Sequence, residues 1–78
     1  MLHIKDLKVG EKAEIRGYSG GAKRYRHKLL SMGLTPGAVL ELVRVAPLGD
    51  PIQVLVRGFV LSLRKSEASV LQLEKVIA

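Results

Sequence analysis

The sequence predicts an all-β domain, a small barrel of about five antiparallel strands with one short inserted helix. Three observations carry that expectation. Apolar residues alternate with polar ones over short runs, the period of a strand with one buried face. Gly and Pro punctuate those runs and mark tight turns. One segment alone, residues 22–32, changes to helical period.

The elements follow in order. Residues 2–10 form a lead-in, with Leu7 and Val9 as an apolar anchor and Gly10 as a turn. Residues 11–18 alternate, with Ala13, Ile15 and Gly17 on one face and Glu14, Arg16 and Tyr18 on the other, until Ser19-Gly20-Gly21 ends the run. Ala22, Tyr25, Leu29 and Met32 then make one helical stripe of about three turns, with Gly33 placed to end it and Pro36-Gly37 suited to a type II turn. Residues 39–46 return to strand, with Val39, Val43 and Val45 opposite Leu40 and Leu42. Pro47 stops that strand because it has no N–H and restricts the residue before it.

Leu48-Gly49-Asp50 makes the next turn, and Pro51 is tolerated as the first residue of a strand in which Ile52, Val54 and Val56 share a face. Arg57-Gly58 reads as a two-residue hairpin turn returning into Phe59–Leu63. Ser66-Glu67-Ala68 is short and polar and reads as one 3₁₀ turn. Val70–Val76 closes the chain, with Leu71 and Leu73 on one face. A five-stranded meander must hide its edges, and curling into a small SH3-like barrel does so, with a small α+β sandwich as the alternative.

The 78 residues suffice for one domain, residues 1–78, whose single core supplies roughly 3–5 kcal/mol without staples. There is no cysteine, so no disulfide or thiolate metal site assists, and a reducing, cytoplasmic setting is expected. The N-terminus lacks the features of a secretory signal, and no apolar run approaches the ~18 residues of a membrane helix. His3 and His27 are isolated and expected to be solvated, and carboxylates such as Glu41, Asp50, Glu67 and Glu74 show no ligand spacing, so no metal site and no cofactor is expected. No serine stands in a nucleophile motif, and Gly20-Gly21-Ala22-Lys23 lacks the spacing of a phosphate loop; an enzyme is not expected.

Thirteen Lys and Arg against seven Asp and Glu give a net charge of +6, which favours an acidic partner. The helix gathers Lys23, Arg24, Arg26 and Lys28 around Tyr25 and His27. Lys28 suits the helix dipole, but Lys23 and Arg24 stand in the first turn, where each cation costs ~0.3–1 kcal/mol. A local rule broken without compensation marks a candidate docking face. Leu30 lies off the apolar stripe and is expected, with Leu34, to form an apolar centre inside a basic rim. Tyr18, Tyr25 and Phe59 are the only aromatics, too few for a base-stacking surface; Phe59 is expected in the core and Tyr18 on the barrel rim.

The motifs also carry a family resemblance. Leu29-Leu30-Ser31-Met32-Gly33-Leu34-Thr35-Pro36-Gly37 resembles the L-x-x-(L/M)-G-(L/M)-x-P-G segment of the FeoA family, the small cytosolic component of bacterial ferrous-iron uptake. Arg44 to Pro51 is similar to that family's R-x-A-P-L-G-D-P hairpin, and Leu61-Ser62-Leu63-Arg64 to its L-x-L-R strand; Leu7-Lys8-Val9-Gly10-Glu11 matches its lead-in. The resemblance implies an SH3-like barrel with an inserted helix. It also implies an accessory adaptor of iron(II) transport whose partner is the ferrous-iron permease with its cytoplasmic GTPase domain. On that reading Arg24, Lys28, Leu29 and Leu30 of the helix, and the Leu48-Gly49-Asp50 turn, lie near the docking surface, although the stripe itself puts Leu29 in the core. The alternatives are a nucleic-acid-binding SH3-like module and a weak homo-oligomer that pairs through its edge strands.

Overall fold

The computed structural model describes residues 2–20 and 23–76. Its strands are β1 (Lys12–Tyr18), β2 (Val39–Val45), β3 (Ile52–Val56), β4 (Phe59–Leu63) and β5 (Leu71–Lys75); its helices are α1 (Lys23–Ser31) and the single turn α2 (Lys65–Ala68). All pairings are antiparallel, in the order β4-β3-β2-β1-β5. The chain is therefore not a plain meander, because β5 returns across the molecule to pair with β1. Register shifts between Ile15 and Gly17 and between Leu42 and Arg44 mark irregularities of the kind that curl a sheet.

Alternation sets the core. Ala13 and Ile15, Leu40 and Leu42, Ile52, Val54 and Val56, and Leu71 and Leu73 all point inward and join one buried cluster with Leu29, Leu34 and Leu63. The β3–β4 hairpin closes on Arg57 (φ 51°) and Gly58 (φ 82°), the positive-φ pair of a two-residue turn. Ala38 N–H donates to the Thr35 carbonyl at 3.0 Å, closing the turn at Pro36-Gly37.

Five further sequence expectations change. In the lead-in, Ile4–Asp6 forms a 3₁₀ turn, whose three-residue repeat buries Ile4 and Leu7 and leaves Val9 60% exposed. The last turn of α1 is a Schellman motif: Leu34 N–H donates to the Leu29 carbonyl at 3.0 Å and Gly33 N–H to the Leu30 carbonyl at 3.1 Å. That motif folds Leu34 back against Leu29, so Leu34 is wholly buried and is no part of an exposed apolar centre. Phe59 is 71% exposed rather than core, because it follows the hairpin turn at the tip of the outermost strand. His3 is half-buried beside the N-terminal turn rather than fully solvated. α2 is one α-helical turn rather than 3₁₀, with Ala68 and Glu67 N–H both directed at the Arg64 carbonyl. Ala22, the first member of the helical stripe, lies outside the described residues.

Candidate docking surface

α1 sits between β1 and β2 in the chain and is fixed at three points. Leu29 enters the core, the Schellman turn ties its C-terminus, and Lys28 forms an ion pair with Glu67 of α2. The amphipathic stripe fixes rotation: Leu29 is buried, Tyr25 and Met32 are half-buried, and Lys23, Arg24, Arg26, His27 and Lys28 are turned outward. Leu30, one step past Leu29, remains 40% exposed among those cations. Among the described residues the helix bears no carboxylate, and Lys23, Arg24 and Arg26 have no ion-pair partner.

One cation of this face was not legible in the helix. Arg16 projects from β1 and, with Lys23 and Arg26, lines an open cleft of about 580 Å³ together with Tyr18, Ser19 and Pro36. Arg16 is held by Glu14 at 3.2 Å and Glu74 at 3.4 Å, whereas Arg26 lies 5.6 Å from the centroid of the Tyr18 ring. Tyr18 itself donates its hydroxyl to the Leu34 carbonyl, and its burial pushes the phenol up from the ordinary value. The outward alternation of β1 gave the direction of Arg16; its meeting with α1 required the fold.

The second predicted element is the turn after β2. Leu48 is 96% exposed at its tip. Gly49 lines a small cleft of about 180 Å³ with Ile4, Leu7, Leu42, Val45 and Ile52, rimmed by Lys5 and Lys65. Asp50 is exposed but tied to its own chain: its Oδ1 accepts the Lys65 backbone N–H at 3.0 Å, at the first turn of α2. An acidic group there satisfies an orphan donor and favours the helix dipole.

α2 thus bridges the two predicted patches, gripped by Lys28 from α1 and by Asp50 from the turn. Glu67 is its keystone and was missed by sequence reading, which treated it as an ordinary surface acid. It is 6% exposed, its Oε1 accepts Arg64 N–H at 3.0 Å, and its Oε2 pairs with Lys28. The Lys28 contact, and then the Arg64 amide, hold its carboxyl below the ordinary value despite burial. A glutamate three residues after a helix start signals a capping box, but its charge partner Lys28 stands 39 residues away.

Of the predicted set, then, Arg24, Leu30 and Leu48 are free to touch a partner. Gly49 shapes the turn, while Lys28 and Asp50 serve first as internal struts. Leu29 is corrected: with no exposed surface it cannot reach a partner, because helical pitch and the Schellman turn place it in the core. Among the described residues no three His, Cys, Asp or Glu side chains converge, and no helix is long and apolar enough to cross a membrane.

Comparison with known proteins adds the following. The FeoA domain family matches residues 2–75. The Fe(2+) transport protein A/Fe(2+) transporter FeoB fusion protein of Porphyromonas gingivalis is 28% identical over 75 residues, 96% of this chain but only 9% of that protein. This chain therefore spans about a tenth of that curated relative. The solution structure of the FeoA protein from Chlorobium tepidum superposes with a TM-score of 0.86 at 34% identity, over 97% of this chain and 71% of that one. The zinc complex of Stenotrophomonas maltophilia FeoA, described as a procaryotic SH3 domain protein, shares the fold with a TM-score of 0.79 at 21% identity, over 95% of this chain and 91% of that one. The expected SH3-like architecture is the one observed, five antiparallel strands in one sheet with the helix inserted after the first.

Proposed function

The chain belongs to the FeoA family, and on that premise we propose that it is an accessory adaptor of bacterial iron(II) transport. It works on the cytoplasmic side by docking on the ferrous-iron permease that carries a GTPase domain, and it influences that permease's assembly or activity. The observation that carries this reading is α1: a surface helix with four Lys and Arg residues, no carboxylate, and a half-exposed Leu30 among them. An apolar centre with a polar rim is the anatomy of a protein interface, and the three cations without an ion-pair partner among the described residues, Lys23, Arg24 and Arg26, select an acidic partner face. Fusion of the corresponding segment to a FeoB transporter in the Porphyromonas relative supports the choice of partner. Arg24 and Leu30 make the contact, Leu48 offers a second exposed anchor, and Lys28 and Asp50 hold the two patches in place through α2.

The test is retention of full-length permease from detergent-solubilised membranes on this chain as bait, with and without guanine nucleotide. Lys23→Glu/Arg24→Glu is the variant of choice, because it reverses the outward charge without touching the Lys28–Glu67 pair. Retention should fall at least tenfold while the circular dichroism spectrum is unchanged. Equal retention by the variant would remove the basic face from the interface. No retention by the parent chain, folded, would defeat the adaptor reading.

A further inference from the structure

The two edges of the sheet are finished differently. At one edge, Leu2 bridges to β5, its N–H donating to the Leu73 carbonyl at 3.0 Å and Leu73 N–H returning to Leu2 at 2.8 Å. β5 also carries Glu74 and Lys75, and Glu74 pairs with Arg16. Bridged and charged, that edge is closed to strangers.

The β4 edge has none of these protections. Phe59-Val60-Leu61-Ser62-Leu63 contains no charge and no proline, and its register with β3 runs without a bulge. Because a two-residue turn closes the hairpin, Val56 and Phe59 exchange their backbone bonds, and the pattern then alternates. Leu61 and Leu63 also spend their backbone groups on β3. Val60 and Ser62 point theirs away from it, and among the described residues no hydrogen bond outside the ladder reaches either one. Phe59 and Val60, 71% and 57% exposed, add apolar surface alongside.

Charge decides the occupant. Arg57 precedes the strand and Arg64 and Lys65 follow it; the Glu67 and Asp50 carboxylates accept the Arg64 and Lys65 backbone amides, but among the described residues none of the three side-chain charges has a carboxylate within ion-pair distance. Arg57 donates to the Gly33 carbonyl at 3.3 Å and to Thr35 Oγ1 at 2.9 Å, contacts that fix the hairpin tip and leave its charge uncancelled. A second copy of this chain, paired antiparallel about Leu61, would set Arg57 of each copy toward Arg64 and Lys65 of the other, like charge against like. We propose that the β4 edge receives an extended peptide segment with an apolar centre and acidic ends, which adds to the sheet as a sixth strand. β4 has five residues, about 17 Å at ~3.4 Å per residue, so the segment needs about five central residues between its acidic ends. Backbone bonds to Val60 and Ser62 provide the attachment, and the end charges provide selectivity and orientation. This surface is separate from α1 and stands whether or not the chain docks on a permease.

The experiment uses the full isotope-labelled chain and a nine-residue peptide, five central residues alternating Val and Thr with two Glu at each end. Its counterpart carries Lys at the ends. Amide signals of Val60 and Ser62 should move and exchange with solvent at least tenfold more slowly on adding the acidic peptide, and the Lys-ended peptide should bind at least tenfold more weakly. Val60→Pro removes one outward N–H without breaking a bond to β3 and should cost at least tenfold in affinity; the exchange data on the unaltered chain decide the matter even if that variant misfolds. Shifts confined to Lys23–Ser31, or equal binding of the two peptides, would overturn the proposal. So would dimers in sedimentation whose Val60 and Ser62 amides are protected without peptide, since a second copy would then fill the edge.

Discussion

Removing Glu67 should loosen the chain more than any other surface-sequence acid. Its Oε1 receives Arg64 N–H and its Oε2 receives Lys28, whose side chain is 57% exposed. Loss of the capping interaction costs about 1 kcal/mol, and loss of a half-screened ion pair about 0.5–1 kcal/mol more. Glu67→Ala should therefore lose about 2 kcal/mol, a Tm drop of about 8–16 °C for a domain of this size. Glu67→Gln keeps an acceptor for Arg64 and should lose about half as much. Because the folded carboxyl sits below its ordinary value, the unfolded chain binds more protons as acid is added. The stabilisation is thus fully present above the unfolded value of about 4.3 and lost as pH falls through the folded one. The assay is urea unfolding followed by circular dichroism, parent against Glu67→Gln, at pH 7 and at successively lower pH. The gap should be widest at pH 7 and close in acid. A variant within about 0.3 kcal/mol of the parent at pH 7, or a gap indifferent to pH, would refute the role given to Glu67.

Other consequences are as direct. Leu29→Ala should cost about 3 kcal/mol in urea unfolding, since the side chain is wholly buried, whereas Leu30→Ala should stay within about 0.5 kcal/mol. Gly33→Ala should cost at least about 1 kcal/mol, because Gly33 has φ +87°, a left-handed backbone that strains an L side chain, while the added Cβ would only touch Arg57 Cδ at an ordinary 3.4 Å; thermal melting checks it. Lys23→Glu/Arg24→Glu, expected to weaken docking at least tenfold, should stabilise the isolated chain by about 1 kcal/mol, because carboxylates in the first turn suit the helix dipole that the native cations oppose. A destabilised double variant would show that those cations serve the fold rather than a partner.

Much of this molecule was legible in the chain because it is written locally. Period 2 identified the inward residues of β1, β3 and β5, and the helical stripe placed Leu29 inside and Leu30 outside. Arg57-Gly58 and Pro36-Gly37 specified their turns through residues suited to the backbone each turn needs. Even the burial of Leu34 was a local event, hidden only because a Schellman turn redirects the residue after its glycine. Phe59 was misplaced for another reason: alternation says which face of a strand a residue is on, not whether another layer covers that face at the strand's tip.

The sequence by itself determined the elements, their inward faces, the basic helix and the family motifs. The tertiary structure decided what each outward face meets. Only closure of the sheet brings β5 to β1, Arg16 to the α1 cations, and Lys28 to Glu67 across 39 residues. It also decides that the β5 edge is bridged while the β4 edge is left open. Local patterns record the surface that a segment must bury, through short-range sterics and hydrophobicity. They carry no record of long-range pairing, which is selected when the whole chain finds the one arrangement that buries every apolar face together.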